Sequence, residues 1–236
     1  MKIIDGHVFL GKTVYMEQSP EDVLSNMDRL GVAASVVVAP PPGPFYDEAN
    51  EYVREACGVN PRRLMPLYHA NPLLEGMDEK VDSALSEQGF RGVKLSPTHD
   101  GYGVGGPRTD SVVEKARDHG APVFIHSGDS IFCPPEYVAS LASKFEDVNF
   151  VTSMSRRAPR AAEKNENLYL MTRSFPTLAF QRGYALELAI DRLVFVSDAP
   201  LGSLEVELKG AELAGLTDDA KEKIMGGNLL RILKLK

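Results

Sequence analysis

The sequence predicts an α/β fold, a (β/α)8 TIM barrel built as one domain over residues 1–236. Three observations predict it. Runs rich in Val, Ile, Leu, Phe and Tyr recur eight times along the chain. Helical patterns fall between them. Most of the runs are near-continuously apolar rather than alternating, as in strands covered on both faces of a parallel sheet. Strict strand–helix alternation requires parallel strands joined by crossover helices. Eight such units in 236 residues suit the compact end of the barrel range. The rival is an open doubly wound sheet, which would usually carry a glycine-rich phosphate loop after its first strand. "GHVFLGKT" has neither G-x-G-x-x-G nor the P-loop spacing.

The predicted strands are residues 2–9, 34–40, 63–72, 91–97, 121–128, 148–155, 167–174 and 192–200. The first helix follows Ser19 as N-cap, with Pro20 at its first position, acids in its first turn and Gly31 as its stop. Val23, Leu24, Met27 and Leu30 form its apolar stripe. Further helices are expected at 47–60, 76–89, 109–120, 134–145, about 156–165 and 176–189. A last one runs from Thr217 to the end, interrupted at Gly226-Gly227. The glycines of "HDGYGVGGP" (99–107) suggest a mobile lid.

Composition narrows the function classes. The hydrophobic share of 43% and charged share of 25% are those of a soluble globular protein. The net charge of −7 argues against nucleic acid and anionic membrane as partners. Cys57 and Cys133 form neither a metal spacing nor a disulfide framework. No secretory leader or membrane-spanning run is visible, so a cytoplasmic location is expected.

A barrel keeps its chemistry at the C-terminal ends of its strands. Four of the five histidines, His7, His69, His99 and His126, fall at or near that mouth. His119 instead ends a helix, where a cation complements the dipole. Imidazoles converging with a carboxylate such as Asp198 suit an intermediate divalent metal.

"IDGHVF", "GFRGVKLSP", "PVFIHSG", "VFVSDAP" and "IMGGNLLRILKL" resemble, in order and spacing, the amidohydrolase-related family of metal-dependent TIM barrels. The likeness covers essentially the whole chain. It implies hydrolysis, decarboxylation or hydration of a small organic molecule by a divalent metal and its bound water. Carried over, His7 and His126 correspond to metal ligands. Asp198 corresponds to the carboxylate of the eighth strand, which binds metal or handles the water's proton. Lys94 corresponds to a lysine that is a ligand in some members and a pocket wall in others.

The departures are concentrated in the same place. Members typically carry I-D-x-H-x-H on the first strand, where this chain has Phe9 for the second histidine. On the sixth strand Ser153 or Met154 stands at the place of a histidine. Ser96 stands where some relatives have a further one. The expectation is therefore one weakly held zinc or manganese, or none. Asp198, Lys94, His99 and Ser153 are the candidate catalytic residues, and Phe9, His69, Met154 and Arg173 the candidate substrate contacts. His7, His126 and Asp198 are the candidate metal ligands. Packing is the simpler role for His69 and His99, and a buried bystander thiol for Cys133. Three functions stay open: a hydrolase or lyase with a reduced metal site, a metal-free refitted or engineered barrel using a Ser or Cys nucleophile with a histidine base, and a non-catalytic small-molecule-binding pseudoenzyme. A homodimer is also open.

Overall fold

The computed structural model describes residues 2–128, 130–172 and 190–235. β1 (Ile4–Phe9) runs into a small antiparallel hairpin, β2 (Gly11–Lys12) and β3 (Glu17–Gln18). The parallel strands that follow are β4 (Ala34–Val38), β5 (Leu64–Pro66), β6 (Tyr68–Ala70) and β7 (Val93–Leu95). They continue as β8 (Val123–Ile125), β9 (Phe150–Ser153), β10 (Leu168–Met171) and β11 (Leu193–Val194). The ladders run β1-β4-β5 and β6-β7-β8-β9-β10-β11.

Hydrogen bonds outside the regular ladders join the two arcs into a barrel. β5 and β6 are one predicted strand, broken at Leu67. Leu67 N donates to Val37 O (2.9 Å) and Tyr68 N to Gly92 O (2.9 Å), so pairing passes from one neighbour to the other. The second seam joins the first and last strands. Gly6 N donates to Phe195 O (2.8 Å), Asp198 N to His7 O (3.0 Å) and Phe9 N to Ala199 O (2.8 Å). Gly6 allows this approach, since a Cβ there would lie 2.7 Å from Val194 Cγ1 and 3.0 Å from Phe195 O.

Alternate residues of each strand point inward and outward. Val36, Val38, Leu67, Phe124, Val151 and Val196 belong to an inner cluster. Val37, Val93, Ile125, Phe150, Leu170 and Phe195 belong to an outer one, against the helices. Burial on both faces is the physical reason for the near-continuous apolar runs.

The first helix, α1 (Pro20–Leu30), has the expected boundaries: Ser19 and Asp22 form a capping box, and Gly31 takes a left-handed φ of 71°. α2 (Tyr46–Val59) and α3 (Met77–Ser86) match predicted helices. An unpredicted turn, α4 (Pro97–Asp100), precedes α5 (Pro107–Asp118), α6 (Pro135–Lys144) and α7 (Ala158–Ala162). The helix expected at 176–189 lies outside the described residues. α8 (Leu204–Leu213), capped by Ser203, was not expected. The chain ends in α9 (Asp218–Glu222), a π turn at Lys223–Gly227 and α10 (Asn228–Ile232). The π turn falls at the predicted glycine interruption, where Ile224 O accepts from Phe195 N (3.1 Å). In the segment expected to be a lid, Tyr102 and Val104 are buried, and Val104 N donates to Phe132 O (3.2 Å). Among the described residues no helix is long and apolar enough to cross a membrane.

Candidate active site at the barrel mouth

Register determines which side chains meet. His69 pairs with Lys94 across β6 and β7, and Lys94 with Phe124 across β7 and β8. Leu67, Phe124, Val151 and Val196 face inward, so His69, His126, Ser153 and Asp198, two residues further on, occupy the next inward layer toward the mouth. Strand β1 joins this layer through an irregularity. Its register against β4 shifts between Asp5 and Val8, which leaves Val8 in the outer cluster and Phe9 in the inner one.

Asp198 is the hub. Its Oδ1 lies 2.8 Å from His7 Nδ1, and its Oδ2 lies 3.9 Å from His126 Nε2. Asp198 adopts a left-handed φ of 58° while its own N–H bonds to β1. Asp and Asn tolerate that conformation better than most residues. The His7 and His126 rings are 5.5 Å apart. Phe9 packs edge-on against His7 at 4.8 Å and stacks near His126 at 6.2 Å.

Behind this group lies Asp5, to which the sequence analysis gave no role. Its Oδ1 accepts from Ser197 N (2.8 Å) and His7 N (3.4 Å), tying the first strand to the last. Burial pushes its carboxyl up to about 7, against the lowering effect of the bonds from Ser197 and His7. Lys94 is wholly buried, and its Nζ has no hydrogen-bond partner among the described residues. Burial draws its ammonium down to about 7, although Asp198 pulls the other way.

The remaining candidates have different settings. His69 is held on both nitrogens, Nδ1 with Ala39 O (2.9 Å) and Nε2 with Ser96 Oγ (2.9 Å). A carbonyl only accepts, so Nδ1 carries the proton and Ser96 donates to Nε2. Asn50 clamps the same residue's backbone through two bonds, at 2.9 and 2.8 Å. Burial, and then Lys94, take the His69 imidazole down to about 3. His99 is exposed on α4. Ser153 and Ser155 have buried hydroxyls with no hydrogen-bond partner among the described residues. Met154, between them, packs against the outer cluster. Cys133 is buried, and its thiol is pushed up to about 12 by that burial. Arg173 lies outside the described residues. Tyr46 is a partner that sequence reasoning missed: it bonds Asp100 and packs edge-on to His69 at 5.2 Å. Beside the layer, a cavity of about 910 Å³ opens between the hairpin and residues 39–45, sharing Leu10, Gln18 and Ala39 with the barrel end.

The donor set does not fit a resident divalent metal. Ligands held at about 2.1 Å in octahedral or tetrahedral array lie about 3.0–3.4 Å from one another. His7 and Asp198 are closer than that, at hydrogen-bond distance. The Phe9 ring packs against both imidazoles, and Lys94 places a basic nitrogen in the same layer. Among the described residues no three His, Cys, Asp or Glu side chains are grouped to hold an ion.

Comparison with known proteins bears on the same arrangement. A family model described as Amidohydrolase matches residues 11–235. No curated protein matches the sequence. Solved structures match over the full barrel at low identity. One is 5-carboxyvanillate decarboxylase from Sphingomonas paucimobilis, with TM-score 0.82, 13% identity, and 100% of this chain and 99% of that chain covered. A second is a probable 2-pyrone-4,6-dicarboxylic acid hydrolase from Acinetobacter baumannii with citric acid bound, with TM-score 0.74, 16% identity and both chains covered at 100%. A third is 5-carboxyvanillate decarboxylase from Novosphingobium aromaticivorans, complexed with manganese and a nitrobenzoic acid, with TM-score 0.77, 12% identity, and 99% and 96% covered.

Proposed function

The chain belongs to the amidohydrolase family, and on that premise we propose that it hydrolyses or decarboxylates a small organic acid at the mouth of its barrel. The observation that carries this reading is Asp198 held between two imidazoles, 2.8 Å from His7 and 3.9 Å from His126. A carboxylate accepting from Nδ1–H fixes the imidazole tautomer and leaves Nε2 as the basic nitrogen. In this role His7 takes or returns a proton, Asp198 stabilises the imidazolium, and His126 serves the substrate's other face. Phe9 walls the site with an apolar ring, strengthening these interactions by keeping water away.

The choice of an organic acid leans on the similar structures, whose names record carboxylic acids as what they act on. One of them is complexed with manganese. A zinc or manganese ion would be held weakly by this chain at best, and no step is assigned to one. The serine-nucleophile reading has less support, because no histidine is bonded to Ser153 or Ser155 among the described residues.

The test is turnover of hydroxylated benzoic acids and lactone carboxylic acids, with chelator and with added manganese, in the wild type and in Asp198→Asn. The expected result is chelator-insensitive turnover that falls about 10²–10⁴-fold in the variant, the range for loss of acid–base catalysis. Turnover that survives the substitution overturns the assignment of Asp198. Turnover that requires added manganese overturns the metal-free reading.

A further inference from the structure

Lys94 is a buried basic group in the mouth that the proton-handling scheme does not use. It extends from the fourth predicted strand into the inward layer, between His69 on one neighbouring strand and Phe124 on the other. It is fully buried, and Nζ meets no hydrogen-bond acceptor among the described residues. An ammonium without acceptors is costly in such a place, whereas a neutral amine is tolerated. His126, on the strand beyond, has a side chain 18% exposed, so the layer meets solvent one strand away. Asp198 and Cys133 are the groups that act on Lys94 electrostatically, and neither lies within ion-pair distance of it.

We propose that Lys94 is a covalent catalyst, an amine nucleophile that forms a Schiff base with the ketone carbon of a small 3-oxo carboxylic acid. The inference deepens the reading of the mouth as the reactive site and rests on it. A decarboxylation needs somewhere for the electron pair of the broken C–C bond to go. In a site whose donors do not fit a metal, an iminium can take that pair.

The step balances within the chain's own groups. Nζ attacks the ketone carbon and forms the C–N bond. The ketone oxygen leaves as water, with protons passed by the His7–Asp198 pair. The bond to the carboxylate carbon then breaks, its electrons move into the iminium to give an enamine, and carbon dioxide departs. A proton adds to the enamine carbon. Water then hydrolyses the new iminium, releasing the ketone and restoring the amine. The net change is 3-oxo carboxylate plus one proton to ketone plus carbon dioxide, with no oxidant or reductant. A buried lysine whose Nζ meets no acceptor among the described residues favours the neutral amine, the nucleophile such chemistry requires.

The experiment uses the full chain, incubated with acetoacetate and separately with the larger benzoylacetate in the presence of sodium cyanoborohydride. Intact mass and peptide mapping then locate the reduced adduct. The expected outcome is one adduct per chain, on Lys94, absent from Lys94→Met. That variant replaces the amine by an apolar group of similar length, and a thermal melt at or above the wild-type midpoint shows that it folds. Adducts confined to exposed lysines such as Lys12 and Lys80, or no Lys94 adduct with either acid, overturn the proposal. Asp198→Asn separates the two readings. An adduct on Lys94 with turnover unaffected by Asp198→Asn removes the acid–base assignment alone. Turnover lost in Asp198→Asn without any Lys94 adduct removes the Schiff base alone.

Discussion

Phe9 is the residue by which this mouth departs most plainly from the first-strand motif that the family resemblance implies. A benzene ring touching His7 and stacked near His126 supplies no lone pair where a third imidazole would. Phe9→His should therefore create a metal site: zinc content measured by elemental analysis rises toward one per chain. The melting midpoint also rises with added zinc, as about 2.7 kcal/mol is gained at a concentration 100 times Kd. A variant that stays metal-free would mean that the β1 side chains do not converge as described. Buried titrating groups make a second test at this scale. The His69 imidazole is held at about 3, whereas in the unfolded chain it titrates near 6.5. Its contribution is present above pH 6.5 and is lost as pH falls, by about 1.4 kcal/mol per unit. Asp5, raised to about 7, acts in the opposite sense: its contribution is present below its unfolded value of 3.8 and fades as pH rises through 7. The two nearly offset each other between pH 4 and 6.5. Asp5→Asn should uncover the histidine, giving urea-denaturation stabilities that drop between pH 6.5 and 5 more steeply than in the wild type; an unchanged slope would refute the offset. The convergence of His7, His126 and Asp198 was legible from strand ends. The clamp from Asn50 to His69 was not, because an asparagine on a helix gives no local sign of the backbone it will reach.

Among the elements, strands were the most legible and α8 the least. Strand runs are apolar on both faces and stand out against any background. The buried positions of α8 are Leu204, Glu207, Gly210 and Ala211. That stripe has helical spacing, yet acidic and small residues carry it, so no hydrophobic periodicity shows. Register in β1 was hidden for another reason. The shift between Asp5 and Val8 depends on what the neighbouring strand allows, and strict alternation would place His7 and Val8 differently. The closest approach in this strand is at Gly6. Gly6→Ala puts a methyl 2.7 Å from Val194 Cγ1, and overpacking of this kind costs about 1–3 kcal/mol. Urea denaturation should show that loss at every pH, together with reduced turnover, because the same strand carries His7. A variant as stable as the wild type would place Val194 elsewhere.

At the scale of the molecule, counting eight strand–helix units was enough to foresee a ring. How the ring shuts could not be foreseen. The bonds from Gly6 to Phe195 and from Asp198 to His7 join positions nearly the whole chain apart, and no local pattern announces them. A doubly wound sheet would have kept those residues at opposite edges. The antiparallel hairpin after β1 was missed as well, since strands of two residues carry too little pattern to detect.

The seam has a further consequence in time. His7 is made long before Asp198, so the pair cannot exist on a ribosome-bound chain that lacks the last strand. Long-range contacts of this kind form late, after the entropy of closing so large a loop has been overcome. Recovery of turnover after dilution from denaturant should thus lag behind recovery of helical signal, making catalysis a reporter of the final act of assembly. Turnover that returned in step with the first helices would mean that the first and last strands meet early.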